Sequence, residues 1–204
     1  DVMAGLGTAF YGVRAHLINC SLGFKNLGSR CTTCGGAGGA RSKTFENYLR
    51  SLTDSAALLL PGEQPLITAA VGNDYSPTNQ ALFRSPADYD QVVAIGAVTS
   101  SYQLSPFSNR GTAKNRYLVL PGGDNTPDPN GDPIEATGTA ANGTNHCLGT
   151  SVATAYATGV MALYRGEANY QNLDAASLFD RIAKDKQFTG YIAADHGEGF
   201  LYFR

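Results

Sequence analysis

Leu66-Ile67-Thr68-Ala69-Ala70-Val71 runs without a charged residue and stops at Gly72-Asn73. A strand with one wet face alternates apolar and polar residues, whereas a strand covered on both faces stays apolar throughout. This run is of the second kind. Gln91 to Val98 repeats the pattern, Tyr117 to Leu120 is a shorter version, and residues 16–24 (HLINCSLGF) form another that ends at Gly23. Ahead of the Leu66 run, Phe45, Tyr48, Leu49, Leu52, Ala56 and Leu59 fall on one face at helical spacing. Ser42 is a suitable N-cap for that helix, and Pro61-Gly62 stops it. Residues 2–14 can form an earlier helix, against the cost of internal glycines. Apolar strands preceded by helices are what a parallel sheet covered on both faces requires.

Downstream, residues 121–147 are rich in Pro, Gly, Asn and Asp and are expected to form one long loop. Ser151 to about Arg165 is helical and rich in small residues, and Asp174 caps a last helix with Ala175, Leu178, Phe179 and Ile182 on its apolar face. No internal repeat or long linker divides the chain. One layered α/β unit over residues 1–204 is expected.

With 43% hydrophobic and 16% charged residues, 204 residues can bury a core, which excludes a disordered chain. A net charge of −2 with scattered basic residues excludes a concentrated phosphate-binding surface, so no nucleic-acid partner is expected. No run approaches the ~18 apolar residues of a membrane span. The chain opens on Asp1 without a signal-peptide pattern and reads as a processed or excised piece, so its start does not identify a compartment. Cys31 and Cys34 form one C-x-x-C, either a short disulfide or half a zinc site. Zinc needs about four ligands, and neither a second C-x-x-C nor an H-x₃₋₅-H is present, so structural or incidental use is expected. Cys20, inside an apolar run, reads as a small core residue.

Ligands of open parallel sheets collect beyond the carboxyl ends of the strands. Three segments fall there: Ser21-Leu22-Gly23, Ala69 to Asn73, and Gly149-Thr150-Ser151-Val152-Ala153. Ser151 opens a helix, where unpartnered backbone N–H groups favour negative charge, a suitable setting for a nucleophile attacking a carbonyl. The Asn73 side-chain N–H₂ can reach a carbonyl oxygen beyond the sheet. Taken singly, Gly-Thr-Ser is also an ordinary helix cap and Gly-Asn an ordinary turn.

Together, five blocks stand in order: Ile18-Asn19-Cys20-Ser21-Leu22-Gly23, Ala69-Ala70-Val71-Gly72-Asn73, Val93 to Val98, Ser105-Pro106-Phe107-Ser108-Asn109-Arg110-Gly111, and Gly149 to Ala153. They resemble the I-N-x-S-L-G, A-A-x-G-N, V-x-A-V-G-A-V, F-S-x-x-G and G-T-S-x-A blocks of the subtilisin-type serine proteases, the subtilases of peptidase family S8. Gly197 to Leu201 is similar to that family's closing block, so the resemblance runs from about residue 8 to residue 204. It implies a three-layer parallel-sheet fold and a serine endopeptidase, with this chain as the C-terminal two-thirds of one catalytic domain. By the same resemblance Ser151 is the acylating nucleophile, and Asn73 with the Ser151 N–H forms the oxyanion hole. Ser21, Leu22 and Gly23 would pair with a peptide substrate as an added strand. Ala70, Val71 and Gly72 would line the first specificity pocket. A secreted or periplasmic location is mildly favoured by the family.

Two triad members have no counterpart here. The family's order is Asp, His, Ser, and both earlier blocks would precede residue 1. His16, His146 and His196 do not occupy the family's His position. The resemblance therefore implies an N-terminal fragment of the same protein, carrying Asp and His, as a partner, with this chain inactive alone. The alternative is an inactive subtilase-like binding module. Ala155 stands where the family has proline, and Leu148 where it often has Asn. No cofactor is required by this chemistry. Asp124, Asp128, Asp132 and Glu135 form an oxygen-rich loop of the kind that binds calcium, although it lacks EF-hand spacing and reads more simply as a solvated turn.

Overall fold

A computed structural model of the chain describes residues 2–24, 42–56, 58–59, 61–79, 81–111, 116–124, 134–137, 143–184 and 199. Four parallel strands, β1 (Leu17–Cys20), β2 (Leu66–Ala70), β3 (Val93–Val98) and β4 (Tyr117–Pro121), lie side by side in chain order. Leu17 pairs with Leu66, Thr68 with Val93, and Ala94 with Tyr117. All five residues of β2 and all six of β3 are buried, as their unbroken apolar runs demand.

Period-two alternation sends successive side chains to opposite faces. On one face Ile18, Ile67, Ala69, Val71, Ala94 and Val119 meet α1 (Val2–Gly7) and α2 (Lys43–Ala56) through Leu6, Phe45, Leu49 and Leu52. On the other Leu66, Val93, Ile95, Ala97, Leu118 and Leu120 meet α3 (Thr150–Gly166) and α4 (Ala175–Lys184) through Ala153, Ala157, Met161, Leu178 and Ile182. Helix, sheet, helix: the fold is the three-layer parallel-sheet α/β arrangement expected from the sequence. Full burial of one large aliphatic side chain contributes about 1.5–3 kcal/mol, so these two seams hold the layers together.

Local chemistry sets the element ends. Ser42 accepts from the Phe45 N–H at 3.3 Å and starts α2 at Lys43. Asp174 accepts from the Ser177 N–H at 2.7 Å and starts α4. The first helix departs from expectation. Past Gly7 it widens into a π turn (Thr8–Gly12) and ends at Gly12, with Arg14 at φ 53° turning the chain toward β1. Gly5, Gly7 and Gly12 stand in this segment, each a weak helix former.

A second correction concerns residues 121–147, expected as one loop. They contain an antiparallel hairpin of β5 (Ile134–Thr137) and β6 (Thr144–Cys147), in which Ile134 faces Cys147 and Thr137 faces Thr144. Backbone pairing joins the two arms, and four-residue arms among Gly, Asn and Asp leave no apolar run to read. Cys20 is a core residue with 5% exposure, and burial pushes its thiol up to about 11. Cys31 and Cys34 lie outside the described residues.

Candidate active site

β2 ends in a turn that only glycine can make. Gly72 has φ +105°, and a Cβ there would lie 2.5 Å from Asn109 Nδ2 and 2.5 Å from Arg84 Cγ. Asn109 is fully buried and clamps this turn. Its N–H donates to Gly72 O at 3.0 Å, its Oδ1 accepts from the Asp74 N–H at 2.8 Å, and its Nδ2 donates to Leu82 O at 2.9 Å. The clamp projects Asn73 beyond the sheet toward the start of α3.

That start is equally constrained. Gly149 sits at φ +124° and ψ 165°, a region closed to other residues, and its N–H donates to Gly122 O at 2.9 Å just past β4. Thr150 follows and orients Asn73: its N–H donates to Asn73 Oδ1 at 2.8 Å and its Oγ1 at 2.9 Å. A backbone N–H cannot accept, so the amide oxygen must face Thr150 and Nδ2 must face away. Nδ2 then stands beside Gly149, 2.9 Å from the point a Cβ there would occupy. The Thr150 hydroxyl accepts in turn from the Gly72 N–H at 3.2 Å, so the two turns brace each other.

Ser151 is half-buried in the first turn of α3. Its Oγ donates to Ser21 O at 3.1 Å, while Ser21 Oγ donates to Ser151 O at 2.8 Å, which latches the end of β1 to the helix. Of the first backbone N–H groups of α3, Thr150 donates to Asn73, and Val152 and Ala153 donate to Gly149 O. Among the described residues this leaves the Ser151 N–H without an acceptor at the positive end of the helix, and Ser151 lines the same cavity as Asn73. A hydroxyl next to two N–H donors is the arrangement needed to attack a carbonyl and stabilise the resulting oxyanion.

A cavity of about 380 Å³ opens here, lined among the described residues by Gly23, Ala70, Gly72, Asn73, Asp74, Arg84, Thr150 and Ser151. Five sequence-predicted site residues therefore meet at one cleft: Gly23, Ala70, Gly72, Asn73 and Ser151. Val71 does not. Its side chain is fully buried in the core on the α2 side of the sheet, because alternation at the end of β2 turns it away from Ala70. Ser21 contributes its carbonyl and hydroxyl to the Ser151 contact, and Leu22, 39% exposed, stands outside the cavity wall.

Thr150, Asp74, Arg84 and Asn109 were not singled out from the sequence. Thr150 and Asn109 lie inside recognised blocks, and that was their available signal. Arg84 gave none, because its partner Asp74 is ten residues away across an irregular loop: Arg84 Nε donates to Asp74 Oδ2 at 2.8 Å. The described histidines lie elsewhere. His16 is exposed ahead of β1, and His146 on β6 stands 3.7 Å from Glu135 Oε1 with both side chains largely exposed. His196 lies outside the described residues, as do Asp128 and Asp132 of the oxygen-rich loop. No group of three or more metal-ligating side chains occurs among the described residues.

A serine at a helix start and an oriented amide thus line one cleft above a parallel sheet. The chain belongs to the subtilase family, whose family model matches residues 2–199. Over 98 residues it is 36% identical to the extracellular serine proteinase of Thermus sp. (strain Rt41A), an alignment covering 48% of this chain and 21% of that protein. Among solved structures, the prenylagaramide maturation protease PagA superposes with a TM-score of 0.71 at 22% identity, covering 99% of this chain and 64% of that one. The nisin leader peptidase NisP of Lactococcus lactis gives 0.68 at 18% identity, covering 93% and 58%. The PatG macrocyclase in complex with peptide gives 0.70 at 17%, covering 98% and 52%. These likenesses show the fold. The chain spans about a fifth of the Thermus proteinase and less than two thirds of each of these solved structures.

Proposed function

We propose that the protein is a serine endopeptidase that works through an acyl-enzyme on Ser151. The observation that carries this reading is the Thr150-oriented Asn73 amide standing beside Ser151 at the start of α3. Ser151 Oγ attacks a peptide carbonyl carbon and gives up its proton to a general base. The carbonyl oxygen takes the negative charge and accepts from Asn73 Nδ2 and the Ser151 N–H. Collapse expels the amine with that proton, and water releases the acid from the ester by the reverse steps. No cofactor enters the cycle.

The general base and the carboxylate that orients it are assigned to an N-terminal segment of the same protein outside these 204 residues. Support comes from the described histidines, which stand away from the cleft, and from α3 itself. That helix leaves Tyr156 47% and Leu163 54% exposed on one side, apolar surface that a further layer of the domain would cover. Leu22 and Gly23, continuing β1, would offer backbone to an extended peptide, with Ala70 and Gly72 along the neighbouring pocket. A secreted or periplasmic location belongs to the same proposal, supported by the extracellular Thermus relative.

The test is hydrolysis of a mixed fluorogenic peptide set by the full-length protein and its Ser151→Ala variant. Cleavage by the first and background rates in the second are expected. A folded wild-type protein that binds the peptides and leaves them whole would replace the protease reading with a binding module.

A further inference from the structure

The cleft wall beside Asn73 and Ser151 contains an arginine, and its placement bears on which residue can enter. Arg84 is not a loose surface side chain. Its N–H donates to Val71 O at 2.9 Å, its side chain is only 14% exposed, and its stem lies against two glycines. A Cβ on Gly72 would fall 2.5 Å from Arg84 Cγ, and one on Gly23 would fall 2.9 Å from Arg84 Cβ. Both positions must stay bare for the stem to pack. The head is fixed as well: Nε and Nη2 both engage Asp74 Oδ2, at 2.8 and 2.5 Å. Asp74 is itself positioned by its N–H on Asn109 Oδ1 at 2.8 Å.

This one-edged pairing leaves donors over. A guanidinium carries five N–H groups, and Asp74 takes the edge formed by Nε and Nη2. Among the described residues the N–H groups of Nη1 have no protein acceptor. An apolar side chain filling the cavity would strip water from those N–H groups without replacing it. A lysine or arginine would bring a second cation against a guanidinium whose counter-charge is already engaged. A carboxylate or carboxamide oxygen instead accepts from the remaining edge, completing the charged pair by hydrogen bonds that are stronger than neutral ones.

We infer that Arg84, held by Asp74, Gly72 and Gly23, selects substrates whose residue on the acyl side of the scissile bond ends in a carboxamide or carboxylate. The inference rests on the protease reading above, since it concerns the pocket beside the same Ser151.

The experiment uses the full-length protein and four peptides identical except for that residue: Asn, Asp, Leu or Lys. Fluorophosphonate labelling of Ser151 is measured in parallel. The Asn or Asp peptide should exceed the Leu peptide in kcat/KM by roughly ten- to a hundredfold, the range set by leaving a charged donor unpaired in a dehydrated cavity. Arg84→Met keeps the stem and removes the donors, and it should reverse the order in favour of Leu. If Arg84→Met does not fold, as its melting curve would show, the wild-type ratio decides alone. Wild-type preference for Leu or Lys, with Ser151 labelled, overturns the role of Arg84 and leaves the protease standing. No labelling and no cleavage of any peptide overturns both.

Discussion

Replacing Gly149 by alanine tests how far the site depends on one backbone conformation. At φ +124° and ψ 165°, an L-residue pays about 1–3 kcal/mol of backbone strain. The added Cβ would also sit 2.9 Å from Asn73 Nδ2, closer than such contacts occur, and Asn73 cannot simply retreat because Thr150 holds its oxygen with two donors. Either the start of α3 rotates, moving Ser151, or the amide swings off Thr150. Both misplace a donor from the oxyanion position. Gly166→Ala, at the other end of the same helix, is the control: a Cβ there meets nothing within 4 Å, and its φ is ordinary. That change should stabilise by about 0.4–1 kcal/mol. Urea melts of the full-length variants should therefore move in opposite directions. At a urea-free temperature where both are folded, only Gly149→Ala should lose most of its fluorophosphonate labelling rate. A Gly149→Ala protein with wild-type stability and labelling would show that the site does not depend on this backbone conformation.

Three further outcomes are expected. Met161 is fully buried between α3 and the sheet, so Met161→Ala should cost about 2–5 kcal/mol in a urea melt, and a loss below 1 kcal/mol would contradict that packing. At α4, the Asp174 carboxylate accepts from the Ser177 N–H and then from its hydroxyl, which holds it below its ordinary value. A folded group with a lowered pKa binds its proton more weakly than the unfolded one, so its contribution is present at pH 7 and is lost as pH falls through the folded value. Asp174→Ala should thus lose about 0.5–2 kcal/mol at pH 7, and the gap to wild type should narrow in melts below about pH 4. Cys20, buried and with its thiol pushed up to about 11, should resist iodoacetamide in the folded protein at pH 8 and react in denaturant, as read by peptide mass mapping. Modification of folded Cys20 at that pH would contradict its burial.

The parts legible in the sequence share a physical cause. β2 and β3 announced themselves because burial on both faces leaves no polar residue in the run, and α2 and α4 because Ser42 and Asp174 stand directly before a one-sided apolar pattern. Ser151 and Asn73 were found through short blocks in which neighbours in sequence are neighbours in space. What escaped depends on contacts between distant residues. The β5–β6 hairpin is held by backbone pairing that side-chain pattern does not encode. Asn109 reaches back 35 residues to fix Asp74, and Arg84 meets Asp74 across ten. Val71 sits within a site block, yet alternation on β2 turns it into the core. A motif identifies a backbone segment, and the pleat decides which of its side chains face the cleft.

In the function proposed above, Ser151 is an activated nucleophile in the assembled protein. Fluorophosphonate treatment of the full-length folded protein, followed by peptide mass mapping, tests it most directly. A single stoichiometric adduct on Ser151 is expected, absent after denaturation and absent from Asn73→Ala at matched times. An unlabelled Ser151 in folded protein, or an adduct on another hydroxyl, would contradict it.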